Sequence, residues 1–484
     1  MGAGPLSNRM PLTADPLAQT DFDKIPGPMP HPIFGWRGNL LQFLNDPLRY
    51  MQMLRRNYGE IAAFVKGRRT MIFTFHPKYN QQILSNPDLF NSVGITHLGP
   101  EGSAHRKVGH GLLSMNGAQH KQQRRLIMPP FQRNHIVAYR DQIVQIIEDV
   151  TGRWKTGTNR DMFEEMKELT RRISAKVLLG LDVTSRAFSV SKLMERWLDL
   201  NVSVKTRLLP FDVPFFPYCT MLEMAEKLES AIASMIDQKR GEEAAGSDVL
   251  SILIRAHDED GTRMTNDELI GQANILFAAS HETTSSSLTW ILFLLAQHPK
   301  VYADLADELQ GRLKGSAPTF EELNQLSLLD RVIKEGMRIL PAAVYTYRLS
   351  TAPFELGPYR LPERTTVALS HFITHHMPEI YPEPEKFKPE RWLTHSPEAY
   401  EYMAFGAGPR SCIGGGFATM ALKLALAIIV QRFRLSVVPG SRIDRHLVVT
   451  MGPKHGMPMT IFDQDRKFKK NPVKGNIHEM VDLN

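Results

Sequence analysis

The chain has two cysteines, and Cys412 has the more unusual surroundings. It lies in Phe405-Gly406-Ala407-Gly408-Pro409-Arg410-Ser411-Cys412-Ile413-Gly414, directly ahead of an apolar segment with helical spacing. A thiol just before a helix meets free backbone N–H groups and the positive end of the helix dipole. Both favour the thiolate, which is the form that binds metal. Gly406, Gly408 and Gly414 permit tight turns and close approach by a flat ligand. Arg410 adds a cation and Phe405 an apolar shield for the sulfur. A lone cysteine beside a glycine-rich turn is more often a buried structural thiol, so its meaning depends on the rest of the chain.

Four other groups of residues bear on the same chemistry. Glu282 and Thr283, in Ala278-Ala279-Ser280-His281-Glu282-Thr283-Thr284, pair an acid with a hydroxyl inside an apolar helical segment. Such a pair relays protons, or the threonine simply bonds its own backbone one turn back. Glu335 and Arg338 stand at i and i+3 on one helix face, and Pro389-Glu390-Arg391-Trp392 follows about 50 residues later. His120 and Arg124 lie one turn apart in Gly117-x-x-His120-x-x-x-Arg124-Arg125-Leu126-x-x-Pro129, and Arg348 follows Arg338 by ten residues. Taken singly, these read as a surface ion pair and surface arginines.

Their order is more restrictive than any one of them. The pattern Phe-x-x-Gly-x-Arg-x-Cys-x-Gly opening a helix resembles the heme-binding signature of the cytochrome P450 family, and the other segments resemble that family's motifs in sequence order. The resemblance implies a mainly α fold with a minor β part: a single large domain with a long central helix across the heme. It implies heme b, with Cys412 as the axial thiolate that pushes electron density toward the iron. By the same resemblance, His120, Arg124, Arg348 and Arg410 bind the heme propionates, which need cationic or donor partners once buried. Phe405 shields the sulfur, and Glu335, Arg338 and Arg391 interlock to fix the loop that carries Cys412. Thr283 is the oxygen-side hydroxyl and Glu282 the acid feeding it. Ser280 stands where the family usually has glycine, so its hydroxyl either joins the proton relay or adds polarity on the substrate side. His281 reads as a helix-groove residue, since no second ligand lies at helical spacing from it.

The implied activity is a monooxygenase that hydroxylates or epoxidises an apolar substrate, a fatty acid or terpenoid being favoured. The alternatives are a peroxide-driven or rearranging heme-thiolate enzyme and a heme-binding sensor or carrier without turnover. The chain lacks a Gly-rich dinucleotide fingerprint, so electrons are expected from a ferredoxin- or flavodoxin-like donor with its reductase. The expected substrate walls are residues 92–106, 208–218, Phe277–Ser280 and Ala342–Val344, with Phe211, Phe215 and Phe216 at an entrance. A packed loop is the preferred reading of Phe211–Tyr218, and contact with a membrane surface the alternative.

These residues need rigid elements to hold them. Thr265-Asn266-Asp267-Glu268 is a helix start, and His298-Pro299 a stop. The helix between them would be ~45 Å long at ~1.5 Å per residue. Asp46–Tyr58 reads as an amphipathic helix, Glu60–Phe75 as a strand pair turning at Lys66-Gly67, and Asn91–Gly111 as a loop. A helix is expected from about Gly415 to Arg434, with short strands near 344–370 and 435–461. The organisation read from composition is a flexible polar N-terminus over 1–24, one domain over 25–462, and a basic, solvated C-terminal tail over 463–484.

Composition narrows the classes. Hydrophobic residues make up 42% of 484, enough for a large core, and 58 basic against 51 acidic residues leave a net charge of +7. That modest excess suits an acidic protein partner, and no basic run is dense enough to point to nucleic acid. Two cysteines almost 200 residues apart provide no disulfide framework, and the first 45 residues contain neither a signal-peptide core nor a membrane span. A cytoplasmic protein without a membrane anchor is the expectation.

Overall fold

The computed structural model describes residues 21–483 apart from 68–70, 95–98, 183–187, 204, 207–208 and 242–245. Most of the segment expected to be flexible, residues 1–20, therefore lies outside the described residues. Helices dominate. Those that matter for the site are α1 (Gly117–Ile127), α2 (Met162–Leu179), α3 (Phe188–Val202), α4 (Pro217–Gly241), α5 (Asn266–Gln297), α6 (Ser327–Ile339) and α7 (Gly415–Arg432).

The long central helix forms where its punctuation places it. Thr265 Oγ1 accepts from the Glu268 N–H at 3.2 Å, and the Glu268 carboxylate accepts from the Thr265 N–H at 2.8 Å, a reciprocal capping box. At the other end His298-Pro299 halts it. Every residue from Thr284 to Gln297 is buried, so this half of α5 is the axis of the core. Gly336 lets α6 lie against it, because a Cβ there would come within 2.6 Å of the Ile291 side chain.

Strands β1 (Ile61–Ala63), β2 (Met71–Thr74), β3 (Phe90–Ser92), β4 (Thr346–Ser350) and β5 (Thr366–Leu369) form one sheet in the order β1-β2-β5-β4-β3. The β1–β2 hairpin pairs Ile61 with Thr74, as its alternating pattern suggests, and β2 runs parallel to β5. In β4, Arg348 pairs with Ser92 on one side and Val367 on the other, which fixes its position in the sheet. A second sheet joins Asn159–Asp161, Pro458–Asp463 and Phe433–Val437. The last of these begins directly after α7, so that helix stops two residues short of the expected end.

Three segments depart from the sequence reading. Within the expected loop 91–111, Ala104–Gly109 is a short helix capped by Ser103, and the buried Asn274 side chain of α5 donates to its Val108 carbonyl at 2.8 Å. That tertiary bond supplies what local periodicity lacks. The loop before α4 is not packed: Phe211, Val213 and Phe215 are exposed, and Phe215 adopts a left-handed φ of 73°. The tail after residue 463 is not a free solvated end. Val473, Ile477, Met480, Val481 and Leu483 are buried, Phe468 packs on Tyr302, and the Asp482 N–H donates to the Glu385 carbonyl. Its lysines do face solvent, as Lys467, Lys469 and Lys470 show. The apolar residues between the charges decide where it goes.

Among the described residues, α7 is the one helix long and apolar enough to cross a membrane, and it lies largely inside the fold. The docked tail makes its own test. Ile477→Ala should cost about 2–5 kcal/mol in denaturant unfolding of the cofactor-loaded protein, whereas Lys470→Ala should stay within about 0.5 kcal/mol.

Candidate active site

The segment carrying Cys412 is held from beneath by a fully buried ionic network. Glu335 and Arg338, both with side chains 0% exposed, form a bidentate pair: Arg338 Nε donates to Glu335 Oε2 and Nη2 to Oε1, each at 2.9 Å. Glu335 also accepts from Arg391 Nε at 3.3 Å, the Lys388 N–H at 3.1 Å and Trp392 Nε1 at 3.0 Å. Arg391 continues to the Pro382 and Glu383 carbonyls. Every lone pair of this buried carboxylate is occupied, which lets the charge tolerate burial.

Arg338 carries the network toward the cysteine. Its Nη1 donates to the His375 carbonyl at 2.7 Å, and His375 Nε2 accepts from the Met403 N–H at 2.8 Å. From Met403 the chain enters two glycine turns, with φ of 68° at Gly406 and 73° at Gly408. A Cβ on Gly408 would come within 2.4 Å of the Leu84 carbonyl oxygen, so only glycine fits. The Cys412 N–H donates to the Phe405 carbonyl at 2.8 Å, and the Phe405 ring lies beside Gly415 at the start of α7. His375 and Trp392 were not singled out from sequence. Trp392 sits inside the Pro-Glu-Arg-Trp motif and was legible there; the link through His375 has no local signal.

Cys412 is exposed, yet it is desolvated enough by surrounding protein to raise its thiol pKa. The two facts agree if the thiol lines an internal chamber, reachable by solvent but walled by protein. Burial dominates its pKa; the Gly414 N–H and the Arg124 charge oppose it, as expected for a thiol at a helix start.

Around that chamber the structure gathers the other residues marked in the sequence. His120 and Arg124 come from α1, Arg348 from β4, and Arg410 from the cysteine segment. His120 is pushed down to about 4, first by burial and then by the charges of Arg410, Arg124 and Arg348. Burial lowers Arg348 and Arg410 to about 10, with the nearest arginine adding to each shift. Among the described residues no carboxylate forms an ion pair with any of the three arginines. Arg410 Nη2 donates to the Met115 carbonyl and Asn116 Oδ1, while its buried Nε has no partner. Three desolvated cations and a neutral histidine without an anion, converging on a thiol, fit a flat group that carries acidic side arms. A cleft of about 640 Å³ opens beside this cluster, lined by His120, Lys121, Arg124, Arg125, Pro409 and Arg410 but not by Cys412 or Arg348.

The acid and hydroxyl marked in the sequence lie on α5. Buried along most of its length, this helix exposes Ala279 and half-exposes Leu276, Ser280, Glu282 and Thr283. The Thr283 hydroxyl donates to the Ala279 carbonyl one turn back at 2.7 Å, leaving its lone pairs free to accept. The Glu282 carboxylate makes no hydrogen bond to the described residues, and burial raises its pKa. Ser280 is engaged away from Glu282 and Thr283, at 2.6 Å from Ser174 Oγ on α2 and 3.1 Å from the Phe277 carbonyl. Its hydroxyl therefore ties α5 to α2. His281 is buried against α2 and α3, the groove position expected for it. No cluster of three metal-ligating side chains occurs among the described residues.

Comparison with known proteins agrees with this architecture. The cytochrome P450 family model matches residues 25–457. Pentalenene oxygenase of Streptomyces avermitilis is 31% identical over 84% of this chain and 90% of its own length. Cyclooctatin synthase of Streptomyces melanosporofaciens is 30% identical over 87% and 93%. Retinoic acid-bound cyanobacterial CYP120A1 shares the fold with a TM-score of 0.78 at 22% identity, over 90% of this chain and 99% of that one.

Two expectations follow from the site's buried groups. Glu335→Gln leaves Arg338 with a buried, poorly compensated charge, and should cost about 3–5 kcal/mol with loss of bound cofactor, read by unfolding and by the Soret absorbance of purified protein. The second concerns pH. Burial holds His371 at about 4 and His376 at about 3, below the ordinary 6.5. The unfolded chain thus takes up protons first as pH falls. Their contribution to stability is complete above about pH 6.5 and is lost as pH drops toward 4 and 3. Denaturation midpoints measured from pH 7 to 5 should fall, and His376→Phe should flatten that slope.

Proposed function

The chain belongs to the cytochrome P450 family, and on that premise we propose that Cys412 is the heme ligand and that this enzyme oxidises a terpenoid. Members of the family are heme-thiolate monooxygenases using heme b, O2, an external electron source and an apolar substrate; this protein is an oxidoreductase of that class. The observation that carries the site assignment is the set of desolvated arginines, Arg124, Arg348 and Arg410, that have no carboxylate partner among the described residues.

Cys412 would hold the iron through its thiolate, with the Gly414 N–H directed at the sulfur. Arg124, Arg348, Arg410 and His120 would bind the propionates, which neutralise the charge that the bare cluster leaves uncompensated. Heme held by a thiolate activates O2 for insertion of one oxygen atom into a C–H or C=C bond. Thr283 presents hydroxyl lone pairs to the chamber, and Glu282, its pKa raised toward the working range, supplies protons beside it. With Ser280 bonded to Ser174, the relay is Glu282 and Thr283 alone.

The terpenoid assignment draws on two relatives in particular. One is named pentalenene oxygenase and another cyclooctat-9-en-7-ol 5-monooxygenase. It also draws on the small and apolar character of Leu276, Ala279 and Ala342–Val344. The exposed Phe211, Val213 and Phe215 suit the mouth through which such a molecule enters. For electrons we propose an acidic ferredoxin- or flavodoxin-like donor with its reductase, attracted to Lys121 and Arg125 beside the cofactor cleft. Two unpaired cysteines support a cytoplasmic setting.

Reduced, CO-treated protein should show the red-shifted Soret band of thiolate ligation, and Cys412→His should abolish it; an unchanged spectrum overturns the assignment. Pentalenene should produce a spin-state shift where a fatty acid of equal carbon count produces less. In turnover with a surrogate ferredoxin system, Thr283→Ala should lower product per electron about tenfold or more and release peroxide instead.

A further inference from the structure

His371 is a buried polar side chain that the site described so far does not use. It is 5% exposed, and neither Nδ1 nor Nε2 has a hydrogen-bond partner among the described residues. Nearly every buried polar group in a folded protein is bonded, so two open nitrogens on one imidazole point to a partner that the chain itself does not supply. The Ala343 carbonyl lies close enough to favour a proton on the ring, yet no hydrogen bond forms between them.

Two independent features of the backbone set the direction in which the ring faces. The first is sheet register. Arg348 of β4 pairs with Val367 of β5, and Thr346 pairs with Leu369. Paired residues share a face of the sheet, and side chains alternate along each strand. The face that holds Val367 and Leu369 packs in one cluster with Met403 and Ala407 of the cysteine segment. Ser370 is still extended, at φ −100° and ψ 106°, so the alternation carries His371 onto that same face. The second feature is the short helix His371–His375, in which residues four apart lie on one side. His375 turns its Nε2 to the Met403 N–H at 2.8 Å, and His371 looks the same way from one turn earlier.

Arg348 reaches toward the same place. Its Nη1 donates to Thr346 Oγ1 at 3.0 Å and to the Tyr347 carbonyl at 2.8 Å. The guanidinium therefore lies back along β4, toward the end that Leu369 and His371 flank. Its charge helps to keep the imidazole neutral. A neutral imidazole has one N–H to give. A cation and a hydrogen-bond donor, both desolvated and both on the face toward the cysteine segment, suit one shared carboxylate.

Resting on the reading of Arg348 as a propionate ligand, we propose that His371 is a further ligand of that propionate, giving it the ring N–H while Arg348 gives the charge. The donor set then includes the end of β5 as well as α1, β4 and the cysteine segment. No local motif marks His371; the pairing of β5 with β4 brings it to the site.

The holoprotein tests this with three readouts. His371→Phe keeps a ring of similar shape and removes the donor. It should release heme to excess apomyoglobin about tenfold faster than wild type, the change expected for one lost hydrogen bond to a charged group. Its propionate bending band in resonance Raman spectra should move, and pentalenene affinity should not change. His371→Gln, which keeps a donor, should return the band and the release rate toward wild type. His371→Leu gives the same readouts if His371→Phe does not accumulate as holoprotein. A wild-type band in both donorless variants overturns the proposal: with faster release it shows a purely structural histidine, and with altered pentalenene affinity a histidine that faces the substrate. Arg348→Leu separates the two levels of the argument. If it too leaves the band unmoved, the propionate reading fails first; if it moves the band and His371→Phe does not, this inference alone fails.

Discussion

A carboxylate with no access to solvent sets the terms for the proximal half of this molecule. Glu335 is buried beneath the cysteine segment, where an unpaired charge would cost several kcal/mol. The chain meets that cost by surrounding it: Arg338 takes both oxygens, and Arg391, Trp392 and the Lys388 N–H take what remains. Because the donors come from α6 itself and from the 388–392 stretch, satisfying one carboxylate locks α6 to the Pro389–Leu393 turn. Through His375 it also locks the segment ending at Met403. The glycine turns that present Cys412 start from that anchored point. A buried ion pair is weak evidence of net stability, but it is strong evidence of a single geometry.

The cofactor end follows the opposite logic. Arg124, Arg348 and Arg410 are desolvated and lack carboxylate partners among the described residues, so the protein alone leaves positive charge uncompensated. Burial depresses all three, and the charge of a neighbouring arginine adds to the shift at Arg348 and Arg410. Binding an anionic group there relieves both terms at once, which couples cofactor binding to the stability of the α1, β4 and cysteine segments. One network is complete without a ligand and the other is complete only with one.

Helix α5 is the axis of the core. Its C-terminal half is buried on every face, and its middle opens along Leu276, Ala279, Ser280, Glu282 and Thr283. Polar residues within that middle are each taken up by a neighbour: Ser280 by Ser174, and His281 by Thr170 and Glu195. The Glu282 carboxylate is left without a hydrogen bond to the described residues, and burial raises its pKa.

Much of this was determined by sequence alone. The long helix could be read from Thr265 to His298 because caps and proline breaks act locally, within a few residues of the boundary they set. The β1–β2 pair and the α7 start were legible for the same reason. The candidate residues were legible because their types are chemically restrictive and their order along the chain is unusual, although each alone was ambiguous. Tertiary structure decided what local rules cannot carry. It turned Ser280 toward α2, gave His375 its place between Arg338 and Met403, folded Ala104–Gly109 against Asn274, and laid the C-terminal segment on the body through Ile477 and Met480. It also brought Glu195 of α3 against His281, 86 residues on. In each case the partner is distant in sequence and the energy lies in burial or in a bond formed across that distance, neither of which leaves a periodic trace in the residues themselves.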